Sequence, residues 1–280
     1  QQAHRAREAA APVVRAVQDR LWNGDRFARG ITDAGRVFGV RADAEGRLFL
    51  NPQSWAILAG IATPKQVRAI IQAVESELET PWGPQMLAPA YTGLVDDIGR
   101  LTQKFPGSAE NGSIYNHAAA FWAAALFRCG EPDRAFSVLR RMIPGPDEKD
   151  LAQRGQLPVF IPNYYRGAVG LHPRTAGRSS QLLHTGTVAW YYRSLIEDLF
   201  GLRGGRDGLH VRPALPSAWR EARAVRRFRG ARLRVDYRRD AVEEINVVVN
   251  GRRLDEPLIR GIEAGKDYEV VVTLPAADTP

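Results

Sequence analysis

Glu110-Asn111-Gly112-Ser113-Ile114-Tyr115-Asn116-His117 runs straight into Ala118-Ala119-Ala120-Phe121-Trp122, so a polar cluster abuts the start of an apolar helical run. The same arrangement returns at His184-Thr185-Gly186-Thr187-Val188-Ala189-Trp190. There Thr185 reads as an N-cap and Gly186 lets a ligand approach the backbone. Val188, Trp190, Tyr191, Leu195, Leu199 and Phe200 then carry a helix that stops at Gly201. Free N–H groups and the positive end of the helix dipole at such a start favour a phosphate or another oxyanion. Two polar helix starts of this kind predict a helical layer that lays a binding floor on one side.

The rest of the first two hundred residues agrees with a helical domain. Val13, Val14, Val17 and Leu21 form one apolar stripe, and Val67, Ile70, Ile71, Val74 and Leu78 form another after Pro64. Further helical runs fit residues 54–61, 116–128, 132–142 and 181–200. Long polar or Gly/Pro-rich loops at 80–91, 99–112 and 156–180 lie between them, and long loops in a helical domain usually build a site. Near residues 25–50 the pattern shortens, and Asp33-Ala34-Gly35 and Ala44-Glu45-Gly46 predict turns in small hairpins.

Past Gly201 the character changes. Gly204-Gly205-Arg206-Asp207-Gly208 precedes short alternating segments at 209–212, 224–228, 231–238, 244–249 and 268–274, and Asn250-Gly251 is a strong hairpin turn signal. The expected organisation is mostly α with a β appendage: a helical domain over residues 1–203 and a small β-sandwich-like domain over 204–280.

Composition sets the outer limits. With 280 residues, 44% hydrophobic and 25% charged, the chain can bury a sizeable core. No apolar run is long enough to span a bilayer, and the first residues hold no apolar leader, so neither a membrane nor secretion is indicated and a cytoplasmic location is expected. The lone Cys129 excludes an internal disulfide and argues against a thiol metal cluster; it reads as a packing residue. His4, His172, His184 and His210 show no common metal-ligand spacing, so no metal is expected. The net charge of +8 comes largely from arginines between 220 and 239. Ala231, Leu233, Val235 and Tyr237 alternate with Arg232, Arg234, Asp236 and Arg238, as in a half-buried sheet whose charged face meets water. Without aromatic stacking residues beside the charges, a nucleic-acid partner is the weaker reading.

Several stretches also carry a resemblance. Glu-Asn-Gly-x-Ile-x-x-His at 110–117, followed by Thr-Gly-Thr-x-x-Trp at 185–190, is similar to the inverting disaccharide phosphorylases of glycoside hydrolase family 94. Arg29-Gly30-Ile31-Thr32-Asp33, Phe49-Leu50-Asn51-Pro52-Gln53-Ser54-Trp55, residues 85–92 and Arg226-Arg227-Phe228-Arg229-Gly230-Ala231 fit the same family, in order along the chain. The resemblance implies a partial (α/α)6 barrel followed by the β domain, the C-terminal part of a longer enzyme. It implies a disaccharide and inorganic phosphate as the molecules bound, no cofactor, and leaves open a homodimer through the missing N-terminal part.

Inverting phosphorolysis needs one carboxylic acid to protonate the leaving oxygen and a phosphate held to attack the anomeric carbon from the opposite face. The family's acid lies in an Asp-Trp-Asn-Asp type segment that this chain lacks, so the acid is expected upstream and the chain alone is expected not to turn over. Asp25 in Trp22-Asn23-Gly24-Asp25 is not assigned that role. The resemblance places phosphate binding at His117, Thr185 and Gly186, an acceptor-site glutamate at Glu110, and Asn163 where cellobiose-type enzymes hold the donor glucose with a glutamine. Trp55, Tyr115 and Tyr164 are candidate sugar walls.

One departure from the cellobiose type points to specificity. The lysine expected directly before Glu110 is Ala109, while Arg100 and Lys104 appear in the preceding loop. Arginine grips a carboxylate bidentately and lysine adds charge. Together with Arg174-Thr175-Ala176-Gly177-Arg178-Ser179-Ser180, this looks most like the family members acting on cellobionic acid, which yield α-glucose 1-phosphate and gluconic acid. Members acting on cellobiose, chitobiose or cyclic glucans are the near alternative, and a noncatalytic carbohydrate-binding protein the more distant one.

Overall fold

The computed structural model describes residues 2–155, 160–180 and 186–276. It divides into two units, the chain up to Cys129 with Ser137–Trp190, and Gly130–Phe136 with the chain from Tyr191 on.

The first unit opens with helix α1, Gln2–Leu21, none of whose residues is buried. Strands β1, Gly30–Ile31, and β2, Val37–Phe38, form the hairpin expected at Asp33-Ala34-Gly35, with Gly35 N donating to Thr32 O at 2.8 Å. Strand β3, Leu48–Phe49, runs into α2, Leu50–Leu58, and α3 spans Pro64–Glu77. A capping box between Thr63 and Gln66, with Pro64 at the first position, explains why α3 starts there. Strand β4, Leu87–Ala88, pairs with β3, which corrects the second expected hairpin. Ala44-Glu45-Gly46 does not join neighbouring strands. Gly46 instead donates to Pro89 O at 2.7 Å, and a Cβ on it would lie 2.1 Å from the Tyr91 hydroxyl. That glycine is there for a long-range contact that local turn chemistry does not report.

Strand β5, Ile114–Tyr115, leads into α4, Asn116–Arg128, at the expected boundary. Ala118, Ala119, Ala120, Trp122 and Leu126 of α4 are buried, and α2 packs on this helix with Trp55 edge-on to Phe121 at 5.1 Å. Helix α5 spans Pro132–Arg141. It is followed by α6, Glu148–Arg154, which no apolar periodicity announces; it is defined by Asp147 capping Lys149 N and by left-handed Gly155. Strand β6, Tyr164–Tyr165, pairs antiparallel with β5. Helix α7, Thr187–Arg193, continues as a π-helical turn over Ser194–Leu199 and ends before Gly201, whose φ is 65°. The start of the run expected from residue 181 lies outside the described residues.

The second unit carries β7 (Leu202–Gly204), β8 (Leu209–Val211), β9 (Glu221–Phe228), β10 (Ala231–Asp240), β11 (Asn246–Val249), β12 (Arg252–Arg253), β13 (Leu258–Ile259) and β14 (Asp267–Pro275). They form a five-stranded sheet ordered β12-β11-β14-β10-β9 and a three-stranded sheet ordered β13-β8-β7. The sheets touch where Gly204 faces the Phe228 ring. Asn250 and Gly251 both take positive φ, 47° and 81°, in the tight turn between β11 and β12. On β10, Ala231, Leu233, Val235 and Tyr237 are buried while Arg232 and Arg238 are exposed. The outer face is ion-paired across strands, Arg223 with Asp236 at 2.8 Å and Arg234 with Glu269 at 2.7 Å. The arginine-rich run is therefore a solvated sheet face with its own counter-charges.

Candidate active site

Everything here lies in the first unit. The segment carrying Glu110 is clamped by its neighbour Asn111, which is fully buried. Asn111 Oδ1 accepts from Tyr91 N at 2.8 Å, and its Nδ2 donates to Tyr91 O at 2.8 Å and to Lys104 O at 2.7 Å. Gly112, at φ 77°, passes so near Ala90 that a Cβ would lie 2.8 Å from that side chain. Met86 N donates to Ser113 O at 2.7 Å, and Ala168 N donates to Gln85 Oε1 at 2.7 Å. Three loops distant in sequence are thus locked together around Glu110.

Glu110 faces a pocket of about 390 Å³ lined by Arg29, Phe49, Met86, Arg100, Leu101 and Lys104. A 3-10 turn, Arg100–Gln103, presents Arg100 and Lys104 to this pocket after left-handed Gly99. Thr102 anchors the turn, donating to Gly99 O and accepting from Val95 N, each at 2.9 Å. Leu101, Val95 and Ile98 pack on the buried cluster of Phe49, Leu87 and Tyr91. From outside, Arg36 on the β1–β2 hairpin holds Asp97 of the same loop bidentately at 2.9 and 3.0 Å.

Lys104 Nζ lies 2.7 Å from Glu110 Oε2. Burial pushes the Glu110 carboxyl upward, but the bond to Lys104, a backbone hydrogen bond and the charges of Lys104 and Arg100 outweigh it and hold the group below its ordinary value. Glu110 is therefore an ionised acceptor of hydrogen bonds, suited to sugar hydroxyls and unsuited to general acid work. Asp25 is held ionised in the same way. Burial raises it, yet Arg26 and Arg41 together bring it below the usual carboxylate range.

His117 begins a second cluster. Asn116 N donates to Asn163 O at 3.1 Å and Asn116 Nδ2 to Pro162 O at 2.8 Å, which brings Asn163 beside the start of α4. The His117 ring packs on Phe121 at 4.5 Å, and Phe121 meets Trp190 edge-on at 4.8 Å. A Cβ on Gly186 would fall 2.6 Å from His117 Nε2. Nε2 and Thr187 Oγ1 are both buried, and neither makes a hydrogen bond among the described residues. Burial holds the imidazole below its ordinary value, so it is neutral at pH 7 and one ring nitrogen is a donor. A buried ring nitrogen and a buried hydroxyl flanking a glycine are matched by a polar ligand that completes their hydrogen bonds. Tyr115 and Tyr164 stack at 6.2 Å across β5 and β6, and Trp55 is 45% exposed.

Of the residues singled out in the sequence, Arg100, Lys104 and Glu110 share one pocket, His117 and Gly186 are in contact, and Asn163 neighbours them through Asn116. Thr185 and His184 lie outside the described residues. Sequence reasoning passed over Arg29, Phe49, Met86 and Leu101 as pocket lining, and Thr187 beside Gly186. Arg29, Phe49 and Met86 stood in stretches already noted for the resemblance, and Thr187 in the Thr-Gly-Thr motif, but none had been given a place in a pocket. Among the described residues no group of three His, Cys, Asp or Glu side chains converges on a metal position, and no helix is long and apolar enough to cross a membrane.

Comparison with known proteins bears on this geometry. The family described as "Glycosyl hydrolase 94 superfamily, catalytic domain" matches residues 1–201. The chain is 52% identical over 274 residues to a cellobionic acid phosphorylase of Neurospora crassa, covering 98% of this chain and 35% of that protein. It is 35% identical to a 3-O-beta-D-glucopyranosyl-beta-D-glucuronide phosphorylase of Paenibacillus borealis, over 92% of this chain and 34% of that protein. With an N,N'-diacetylchitobiose phosphorylase of Vibrio proteolyticus the identity is 29%, over 95% of this chain and 34% of that protein. The chain spans about a third of the length of these curated relatives.

Proposed function

The chain belongs to the glycosyl hydrolase 94 superfamily, and from that premise we propose that it supplies the phosphate- and acceptor-binding part of an inverting disaccharide phosphorylase. The substrate we assign is cellobionic acid, converted with phosphate into α-glucose 1-phosphate and gluconic acid. On this reading residues 1–203 are the C-terminal part of an (α/α)6 barrel and residues 204–280 a β-sandwich-like closing domain. The bare surface of α1 supports that reading, since a helix with no buried residue offers a face to further helices.

The reaction divides between this part and the rest. A phosphate oxygen attacks the anomeric carbon as the glycosidic bond to the gluconate O4 breaks, and a general acid, which we place in the longer enzyme, gives that oxygen its proton. Attack from the face opposite the leaving group turns a β-glucoside into an α-phosphate. His117, Thr185 and Gly186 are assigned to phosphate, with Thr187 beside them. Phosphate is already a competent nucleophile, so binding and orientation are what the protein must provide. Glu110 accepts from acceptor hydroxyls, and Asn163 lies toward the donor sugar.

The observation that carries the substrate assignment is the pocket that, among the described residues, Arg29, Arg100 and Lys104 line together with one carboxylate, Glu110. Such a pocket favours an anionic acceptor. Two of the similar proteins are named for disaccharides that bear a carboxylate, in keeping with it. The test is synthesis by the complete enzyme from α-glucose 1-phosphate with gluconate or glucose as acceptor, followed by phosphate release. Release with gluconate is expected; release with glucose alone would move the protein to the cellobiose-acting branch.

A further inference from the structure

Within the pocket the charges are not equivalent. Lys104 is already matched by Glu110 at 2.7 Å. Arg29 and Arg100 line the same pocket, are exposed, and make no ion pair among the described residues. The pair of cations left open to a ligand is thus Arg29 with Arg100, and only Arg100 follows from the loop that replaces the cellobiose-type lysine.

Arg29 is held as a positioned side chain is held. Its N–H donates to Phe38 O at 2.8 Å, fixing it beside the β1–β2 hairpin. Gly39, at φ 78°, lies beneath it, and a Cβ there would come 2.6 Å from Arg29 N and 2.7 Å from Arg29 Cβ. Only glycine admits that approach. The guanidinium lies over the Phe49 ring, 5.9 Å from its centre, and Phe49 itself lines the pocket. A ring beneath a guanidinium restrains its plane while leaving the N–H edge free to donate. A rim arginine serving solubility alone would need neither restraint.

We propose that Arg29 is a specificity-determining residue for the acceptor: Arg29 and Arg100 together grip the carboxylate of an aldonate or uronate, while Lys104 fixes Glu110 for the hydroxyls. This rests on the phosphorylase reading above and adds to it the division of work among the three cations. Two guanidinium edges can each take one carboxylate oxygen, which lysine's point charge cannot reproduce in plane.

The complete enzyme decides it, assayed in the synthetic direction as wild type, Arg29→Gln and Arg29→Lys, with the KM of gluconate and of α-glucose 1-phosphate measured at two ionic strengths. Arg29→Gln is expected to raise the gluconate KM by about tenfold or more and to flatten its salt dependence, with Arg29→Lys between. The KM for glucose 1-phosphate and kcat at saturating gluconate should stay within about twofold, a split that general loss of structure would not produce. A gluconate KM unchanged in Arg29→Gln, in an enzyme whose wild type uses gluconate, would overturn this assignment and leave the phosphorylase reading intact. A wild type that does not use gluconate would remove the cellobionic acid assignment and, with it, this one.

Discussion

Gly186 lies against His117 with no room for a side chain: a Cβ built on it would fall 2.6 Å from both Nε2 and Cε1 of the imidazole. Real Cβ atoms do not approach so closely, so Gly186→Ala must push the ring off its place on Phe121. In the complete enzyme this substitution is expected to raise the phosphate KM by about tenfold or more, at a cost of roughly 1–3 kcal/mol in unfolding free energy. Phosphate kinetics beside a denaturation curve check both numbers, and a normal phosphate KM would detach Gly186 from the phosphate site.

His117 also gives the site a pH signature. Burial lowers its pKa in the folded chain, so the unfolded chain binds that proton more readily. The sign follows: stability is whole above the ordinary histidine value near 6.5 and falls as the pH drops from there through the lower folded value. His117→Gln should flatten that acid slope in Tm against pH. Phosphate placed beside the ring would favour the imidazolium, so imidazole resonances followed by NMR should titrate at higher pH once phosphate is added. An unmoved titration would show that phosphate binds elsewhere.

Lys104 keeps Glu110 ionised, since burial alone would raise that carboxyl. Lys104→Gln removes the bond and the nearer charge. The acid limb of the pH profile for acceptor KM is expected to move to higher pH, because Glu110 then protonates more readily while the proposed function has it accept from hydroxyls. The folded-state contribution of this pair is present above the unfolded carboxylate pKa and lost as pH falls through the lowered value. A pH profile that does not shift would mean that Glu110 takes no part in acceptor binding.

How much of this was legible beforehand depends on the range of the interaction. Asn116–Arg128 was found to the residue because its apolar run and polar start are local, and Asn250-Gly251 because two positive-φ residues in a row leave few alternatives. The pairing of Leu48 with Ala88 was not found, since two-residue strands have no period to read and their partner is set by the packing of Gly46 under Tyr91. Helix α6 escaped because its defining features are a cap and a left-handed glycine with little apolar face. In the site, Arg100, Lys104 and Glu110 were within reach as a cluster near one loop. Arg29 was not, because only the fold carries it to that pocket from a hairpin far away in sequence.

Asn111 is the residue on which the site's shape depends most directly. Its three side-chain hydrogen bonds among the described residues all go to backbone: Tyr91 on both its N–H and C=O, and the carbonyl of Lys104. Asn111→Ala leaves those backbone groups unpaired, each worth roughly 1–3 kcal/mol when stranded, so a loss of about 3 kcal/mol is expected. Asn111→Asp should be worse, since a carboxylate oxygen would then face two carbonyl oxygens where an amide now donates. Because the same bonds fix Lys104 and, through the next peptide, Glu110, acceptor KM should rise in both variants. Urea denaturation together with acceptor kinetics tests this, and an Asn111→Ala enzyme with unchanged midpoint and unchanged acceptor KM would refute the view that Asn111 holds the loops together.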